Sequence, residues 1–196
     1  MKNKRIVITG NIGSGKSTLT NLFSKYGYDI ISADVVNREI IKEHQNIISK
    51  MFNISDMDFE DFKDNLRNIV FSDPIELDKL ENFCIPEILK KINQLSIHFE
   101  STQTPFVIEL PTLFESRGLQ KFDEYFVINV IANSDTRASR IKKRNPKLND
   151  SDIRQIMSIQ IKPESKIPYC DISIENNSDY DSFEKKCLSV LSKFFN

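Results

Sequence analysis

The chain has 196 residues, 39% of them hydrophobic, and its 27 basic and 28 acidic side chains leave a formal net charge of −1 at pH 7. This length predicts one α/β unit with insertions, and the near-neutral charge excludes a general attraction to nucleic acid or to an anionic membrane surface. Three scattered cysteines without a Cys-x-x-Cys motif, and no apolar run near the roughly 20 residues of a membrane span, predict a cytoplasmic protein that is neither disulfide-stapled nor membrane-embedded.

The first predicted elements alternate between strand and helix. Residues 5–9 form a β-branched run that ends at a glycine, which predicts a buried strand. The apolar spacing over Lys16–Lys25 predicts a helix that stops at Gly27. Asp29–Ser32 predicts a second strand, followed by a helix through Ile40. This order is typical of α/β proteins with a parallel sheet.

The middle of the chain is different in character. Residues 52–100 are charged and mostly helical in spacing, so they predict a helical insertion, broken at Asp73-Pro74. Strand patterns return at 106–110, 125–131 and 171–175, and helix patterns at 135–145, at 149–162 and from about 180 to 194. Together these elements predict a parallel sheet of five strands with helices around it.

The most specific motif is GNIGSGKS, Gly10 to Ser17, which matches G-x-x-x-x-G-K-[ST] between a predicted strand and a predicted helix. Three of the five glycines in the chain lie in it. A phosphate chain needs converging backbone N–H groups, and glycine permits the tight turn that supplies them. The motif therefore predicts binding of a nucleoside triphosphate. The loop residues expected to bind its phosphates are Asn11, Ile12, Gly13, Ser14, Gly15, Lys16, Ser17 and Thr18.

Two acidic residues are candidates for the chemistry beside this loop. Asp34 follows the second strand, where a carboxylate can orient an attacking hydroxyl and accept its proton, or can merely cap the next helix. Glu109 lies near the end of the third strand, where it can hold a Mg²⁺ water while Ser17 supplies a hydroxyl ligand. The alternative for Glu109 is an edge or solvent-facing acid. The Asn-Lys-x-Asp and Asp-x-x-Gly signatures of GTPases are absent, which favours a small-molecule kinase.

Three arginines concentrate positive charge in the segment after the fourth strand. Arg140 and Arg144 are four residues apart and share a helix face if the helix reaches Arg144; Arg137 precedes them. Arginine can donate two hydrogen bonds to a phosphoryl group, and a closing lid can bring it over the phosphates. The alternative is an ordinary solvated charge run. Arg140 and Arg144 are the stronger candidates for nucleotide contacts.

Several motifs in order resemble the dephospho-CoA kinase family: GNIGSGKST, ISADVVNREI, LRNIVFSDP, LENFCIPEI, IELPTLFES, SRIKKRN and CDISIENN. The resemblance runs from about residue 4 to residue 178. Its most specific part combines Ala33-Asp34 with Pro-x-Leu-Phe-Glu at 111–115. The resemblance implies transfer of the ATP γ-phosphoryl group to the ribose 3′-hydroxyl of dephospho-CoA, with ATP and Mg²⁺ as cofactors, in a monomer or small homo-oligomer.

The resemblance also implies a fold and roles for individual residues. The fold is a three-layer P-loop kinase unit over 1–196, with a core at about 1–50, 104–134 and 168–196, a CoA-binding insertion at about 51–103 and a lid at about 135–167. The implied catalytic residues are Asp34, Lys16 and Arg140. The implied nucleotide-binding residues outside the loop are Arg140, Arg144, Asn176 and Asn177. The implied substrate-binding residues are Asp34, Lys63, Leu66, Pro111, Leu113 and Glu115.

The chain departs from the family pattern at four places. Ser32 stands where the family usually has the first acid of Asp-Ala-Asp, and Asn11 replaces the usual second glycine of the loop. Ile85 replaces the histidine of His-Pro, and Lys63 falls near a frequent arginine of the acceptor domain. Two alternative functions stay open: a kinase for another small acceptor, such as a nucleoside, nucleotide or shikimate-like molecule, and a nucleotide-binding regulatory protein.

Overall fold

A parallel sheet forms the centre of the fold in the computed structural model, which describes residues 5–111, 113 and 125–195. Within these residues five strands pair in the order β2-β3-β1-β4-β5, and every neighbouring pair is parallel. The strands are β1 (Ile6–Gly10), β2 (Asp29–Ser32), β3 (Phe106–Glu109), β4 (Phe126–Ile131) and β5 (Ile172–Glu175). The predicted five-stranded parallel sheet is confirmed. Its central strands are continuous apolar runs because both faces of a parallel sheet are covered.

Helices connect and cover these strands. They are α1 (Lys16–Lys25), α2 (Ala33–Glu43), α3 (Gln45–Phe52), α4 (Phe59–Ser72), α5 (Pro74–Ser101), α6 (Ser134–Arg144), α7 (Asp150–Ser158), α8 (Pro163–Lys166) and α9 (Tyr180–Phe195). A 3-10 turn, Ile167–Tyr169, joins α8 to β5. The predicted bounds of α1 and β2 are confirmed. Helix α3 was not predicted, and the prediction of one helix over 149–162 is wrong beyond Ser158, because Pro163 starts a new helix and disfavours helical geometry in the residue before it.

The main hydrophobic core lies where α1 and α9 pack on the sheet. Alternate residues of β1 and β4, including Ile6, Ile8 and Ile128, are buried there against Phe23 of α1 and Phe183 of α9. Burying a large apolar side chain stabilises the fold by about 1.5–3 kcal/mol. This packing holds the carboxyl end of β1 and the start of α1 in place, which matters because the phosphate loop joins them.

The described chain separates into two compact units. One comprises the described residues of Met1–Ser32 and Phe99–Asn196 and contains the sheet; the other, Ala33–His98, is helical. In the helical unit Asp58 caps α4 by accepting hydrogen bonds from the backbone N–H groups of Glu60 and Asp61 at 2.9 and 3.0 Å. The predicted break at Asp73-Pro74 separates α4 from α5. The finer division into core, insertion and lid stays a prediction.

Candidate active site

The phosphate loop connects the end of β1 to the start of α1. It turns through positive φ at Gly13 (+77°) and at Gly15 (+101°), where a side chain would be strained. A Cβ atom on Gly15 would lie 2.1 Å from Nδ2 of Asn176. The loop is therefore a bare backbone concavity that glycine alone makes possible at these positions, and it has the form that a phosphate chain requires.

Lys16 and the start of α1 bring positive charge to this concavity. Nζ of Lys16 donates to the carbonyl oxygens of Gly10 at 2.7 Å and Asn11 at 3.2 Å, so the ammonium group folds back over the loop. The N-cap of α1 is Gly15, which has no side chain to accept from the first turn. The positive end of the helix dipole consequently faces the loop, as in an anion-binding site. These residues fit the phosphates of a nucleotide.

Asn176 and Arg140 hold the loop from the side. Asn176, just after β5, is buried and its Nδ2 donates to the carbonyl of Ser14 at 2.7 Å. Its Oδ1 accepts from Nη2 of Arg140 at 3.0 Å, and Nη1 of Arg140 lies 3.3 Å from the carbonyl of Gly13. The structure thus brings two of the predicted nucleotide residues, from two different elements, to the phosphate loop.

The other two predicted nucleotide residues lie elsewhere on the same elements. Oδ1 of Asn177 accepts from the backbone N–H of Asn133 at 2.8 Å, just before α6. Arg144 is exposed at the end of α6. The sequence predicted that Arg140 and Arg144 share a helix face if the helix reaches Arg144. Helix α6 does extend to Arg144, so the two residues share a face. A nucleotide contact by either Asn177 or Arg144 stays a prediction.

Two further residues contact the phosphate loop: Arg137, which the sequence ranked below Arg140 and Arg144, and Gln160, which it did not predict. Arg137 is only 4% exposed, and its Nε donates to the carbonyl of Ile12 at 2.9 Å. Oε1 of Gln160 accepts from the N–H of Ile12 at 2.9 Å. Burial lowers the pKa of Arg137, and it also lowers that of Arg140. The available signal was spacing, because Arg137 lies one helical turn before Arg140 and shares its face.

The two candidate metal ligands, Glu109 and Ser17, both lie in the sheet-containing unit. Glu109 ends β3 and is in register with Ile8 of β1 and Ser32 of β2. The alternative that Glu109 belongs to an edge strand is wrong, since β3 lies between β2 and β1. Ser17 is the second residue of α1 and is exposed. Across the described residues no group of three or more His, Cys, Asp or Glu side chains could hold a metal.

A pocket of about 400 Å³ lies in the helical unit and collects three predicted substrate residues, Asp34, Lys63 and Leu66. Its walls are largely apolar side chains of α2 and α4, and three cations also line it, Arg38, Lys63 and Arg67. Asp34 is exposed in the first turn of α2, which begins at Ala33, so it is not the N-cap. The pocket therefore combines a carboxylate, an apolar wall and positive charge.

The cations of this pocket differ in their partners. Lys63 and Arg38 both form ion pairs with the carboxylate of Glu60. The guanidinium carbon of Arg67 instead lies 5.6 Å from the ring centroid of Phe71, an aromatic side chain that is 53% exposed. Arg67 thus presents a charge that no carboxylate of the described residues neutralises. The sequence did not predict Arg67, because the family's frequent acceptor-domain arginine falls near Lys63, four residues earlier.

The remaining predicted substrate residues follow β3. The carbonyl of Pro111 accepts from Oγ1 of Thr9 at 3.5 Å, which ties it to β1. Leu113 is 1% exposed and belongs to the core. Glu115 lies outside the described residues, as does Phe114. Substrate contacts by these residues stay predictions.

A family model described as dephospho-CoA kinase matches residues 5–182, nearly the whole chain. The chain belongs to the dephospho-CoA kinase family. The dephospho-CoA kinase of Helicobacter pylori is 30% identical over 183 residues, with 92% of each chain covered. That of Borreliella burgdorferi is 33% identical over 197 residues, with 97% of this chain and 94% of the relative covered.

A solved structure of this family gives the same result for the fold. The dephospho-CoA kinase from Campylobacter jejuni is 26% identical, matches with a TM-score of 0.73 and shares 96% coverage of both chains. The predicted P-loop kinase fold, kinase class and resemblance to the dephospho-CoA kinase family are thereby confirmed, and membership of a kinase family makes ATP the phosphoryl donor. None of the helices in the described part of the chain is long and apolar enough to cross a membrane.

Proposed function

We propose that this chain transfers the γ-phosphoryl group of ATP to the ribose 3′-hydroxyl of dephospho-CoA, giving coenzyme A and ADP. The observation that carries the proposal is the phosphate loop with Lys16 folded over it, in a chain whose family match covers residues 5–182. ATP donates the phosphoryl group, and dephospho-CoA accepts it. Phosphoryl transfer leaves little covalent chemistry for the protein to do. Catalysis therefore depends on positioning the two substrates and on stabilising the charge of the transferring phosphoryl group.

The donor half of the site would work by holding phosphates. Lys16 exchanges its contacts with the carbonyls of Gly10 and Asn11 for phosphate oxygens, and Arg140 donates from the side of the loop. Asn176 keeps Ser14 and Arg140 in place and lies where the resemblance implies the adenine. Ser17 and Glu109 offer the hard oxygens that suit Mg²⁺, which when bound supplies further positive charge to the phosphates.

The acceptor half would work through the pocket in the helical unit. Asp34 orients the 3′-hydroxyl and accepts its proton as the phosphoryl group transfers. The apolar wall that includes Leu66 suits the pantetheine chain, and the cations Arg67 and Lys63 suit the diphosphate of dephospho-CoA. Asp34 follows β2 directly in the chain, and β2 ends at Ser32, at the carboxyl edge of the sheet where β1 enters the phosphate loop.

The proposed location of this activity is the cytoplasm. The protein is proposed to be a monomer or a small homo-oligomer, with neither nucleic acid nor a membrane as a partner. The three cysteines, Cys84, Cys170 and Cys187, are free, as in a reducing compartment. Gel filtration with light scattering measures the oligomeric state.

An assay with ATP, Mg²⁺ and dephospho-CoA tests the function. Coenzyme A and ADP should form in equal amounts, and the variant Lys16→Met should lose the activity. Shikimate and nucleoside monophosphates serve as competing acceptors. ADP release that rises only with one of those acceptors would replace the proposed function by another kinase activity. Nucleotide binding without any acceptor-stimulated ADP release would favour the regulatory alternative.

A further inference from the structure

The tip of the phosphate loop, defined here as Asn11, Ile12 and Gly13, is held by side chains from far along the chain. The N–H of Ile12 donates to Oε1 of Gln160, and its carbonyl accepts from Nε of Arg137, both at 2.9 Å. Nδ2 of Asn11 donates to the carbonyl of Ile161 at 2.8 Å. Both backbone groups of Ile12 are therefore committed to residues more than 120 positions away.

Arg137 and Gln160 also contact each other, and the backbone of Arg137 packs closely against the loop. Nη2 of Arg137 lies 3.4 Å from Oε1 of Gln160, so the carboxamide oxygen serves both Arg137 and Ile12. The backbone of Arg137 approaches so closely that a Cβ atom on Gly13 would lie 2.8 Å from its carbonyl oxygen. An arginine that is only 4% exposed is costly to bury unless its donors find partners; here Nε donates to the loop and Nη2 lies by Gln160.

We propose that Arg137 and Gln160 form a latch that sets the loop tip in its phosphate-binding conformation. They are positioning residues, because they act through the peptide groups of Ile12 and make no contact with the reacting atoms. Fixing both peptide groups of Ile12 directs the N–H groups that follow in the loop toward the phosphates. The latch makes nucleotide affinity depend on the two segments, at α6 and after α7, that carry these residues.

The latch predicts how nucleotide affinity should fall when either residue is replaced. This prediction rests on the proposed function only for the identity of the nucleotide. The loop binds phosphates that ADP and ATP share, so a loosened tip should weaken both nucleotides by the same factor. Dephospho-CoA is bound elsewhere in the proposed function, so its KM should not change. Direct contact with the γ-phosphate would instead weaken ATP alone.

Calorimetric titration of ADP and of the non-hydrolysed analogue of ATP tests the latch in Arg137→Met, Gln160→Met and the double variant. Each single variant should lose about tenfold in affinity for both nucleotides, the factor expected when a hydrogen bond that fixes the loop is lost. The double variant should lose no more affinity than the single variant with the larger loss, because both residues act through Ile12. Arg154→Met, an exposed arginine of α7, is the matched control and should bind like the wild type.

Three results would overturn the latch. They are wild-type affinities in folded Arg137→Met and Gln160→Met, a loss for the ATP analogue alone, and fully additive losses in the double variant. Gln160 is only half-buried, so its variant decides the question if Arg137→Met does not fold. Restoration of at least part of the affinity in Arg137→Lys, which keeps a charged donor, supports the latch. A wild-type protein that does not bind ADP would overturn the proposed function as well.

Discussion

Asp34 is the single residue on which the proposed transfer chemistry depends most. It is exposed in the first turn of α2 and lines the pocket of the helical unit, where its carboxylate is open to an acceptor hydroxyl. Among the described residues that line this pocket it is the one acid. Replacing the carboxylate by an amide keeps the shape of the side chain and removes its ability to take a proton.

The variant Asp34→Asn should therefore lower kcat by about 100- to 10,000-fold, the usual contribution of a general base. Nucleotide affinity should change little, since the phosphate loop is untouched. Steady-state kinetics with dephospho-CoA and titration with ADP measure the two quantities. Turnover near that of the wild type would remove Asp34 from the mechanism.

Gly15 tests whether the loop needs a bare backbone. In Gly15→Ala the new Cβ would meet Nδ2 of Asn176 at 2.1 Å in addition to the strain of φ +101°. The affinity for ADP should fall by about tenfold or more, since each 1.4 kcal/mol of misplaced contact is a factor of ten. Gly27→Ala is the matched control, because Gly27 also has positive φ (+85°) but open space around it. It should bind ADP like the wild type, and equal losses in both variants would contradict the steric argument.

Arg67 tests the acceptor half of the site. Its guanidinium lies over Phe71 at the pocket, whereas Lys63 and Arg38 share Glu60. In Arg67→Met the KM for dephospho-CoA should rise about tenfold or more while the KM for ATP stays the same, because a charge-assisted hydrogen bond is lost on one substrate only. Arg154→Met provides the control for loss of an arginine. An unchanged KM for dephospho-CoA would place the diphosphate away from Arg67.

At the scale of elements, helix starts decide where the functional side chains point. Helix α4 carries Lys63, Leu66 and Arg67, and it begins where Asp58 accepts from two backbone N–H groups. Helix α7 begins in the same way at Asn149, whose side chain and that of Asp152 cap each other's backbone N–H groups. Caps of this kind set the first turn and with it the rotation of every side chain that follows.

Removal of the cap in Asp58→Ala should lower the free energy of unfolding by about 1 kcal/mol. Asp58→Asn keeps an acceptor oxygen and should retain most of the stability. Asp56→Ala removes an exposed acid two residues earlier and serves as the control. Urea unfolding followed by circular dichroism measures these differences. A loss of the same size in Asp56→Ala would show that the effect is one of charge rather than of capping.

At the scale of the whole molecule, buried thiols link folding to pH. Burial raises the pKa of Cys84 to about 11 and that of Cys187 to about 12. The pKa of a free thiol in an unfolded chain is about 8.5. The folded state thus holds these protons more tightly, so their contribution is complete below about pH 8.5 and is lost as the pH rises through the folded pKa values.

The free energy of unfolding should accordingly fall between about pH 8.5 and about pH 11 more steeply in the wild type than in Cys84→Ala. Denaturant unfolding at several pH values measures the slope. The comparison with the variant isolates the thiol from tyrosines and lysines that titrate in the same range. Equal slopes in the two proteins would show that the Cys84 thiol ionises in the folded state as it does in the unfolded chain.

Much of the fold could be predicted from local patterns, and the errors have physical causes. Helix α1 and strand β2 follow from apolar spacing and glycine stops, which are properties of neighbouring residues. The helix predicted over 149–162 ran four residues too far, because α7 ends at Ser158 and Pro163 starts a new helix. Helix α3 was missed because it is only eight residues long and lies between longer patterns.

The sequence by itself determined the phosphate loop, because glycines, a lysine and a hydroxyl at fixed spacing suffice to form an anion-binding turn at a helix start. It also determined the parallel sheet, through the alternation of strands and helices. Only the tertiary structure decided which side chains hold that loop. Arg137 and Arg140 reach it whereas Arg144 is exposed, although all three lie on one helix, because burial depends on what packs against each turn and the partners lie more than 120 residues away.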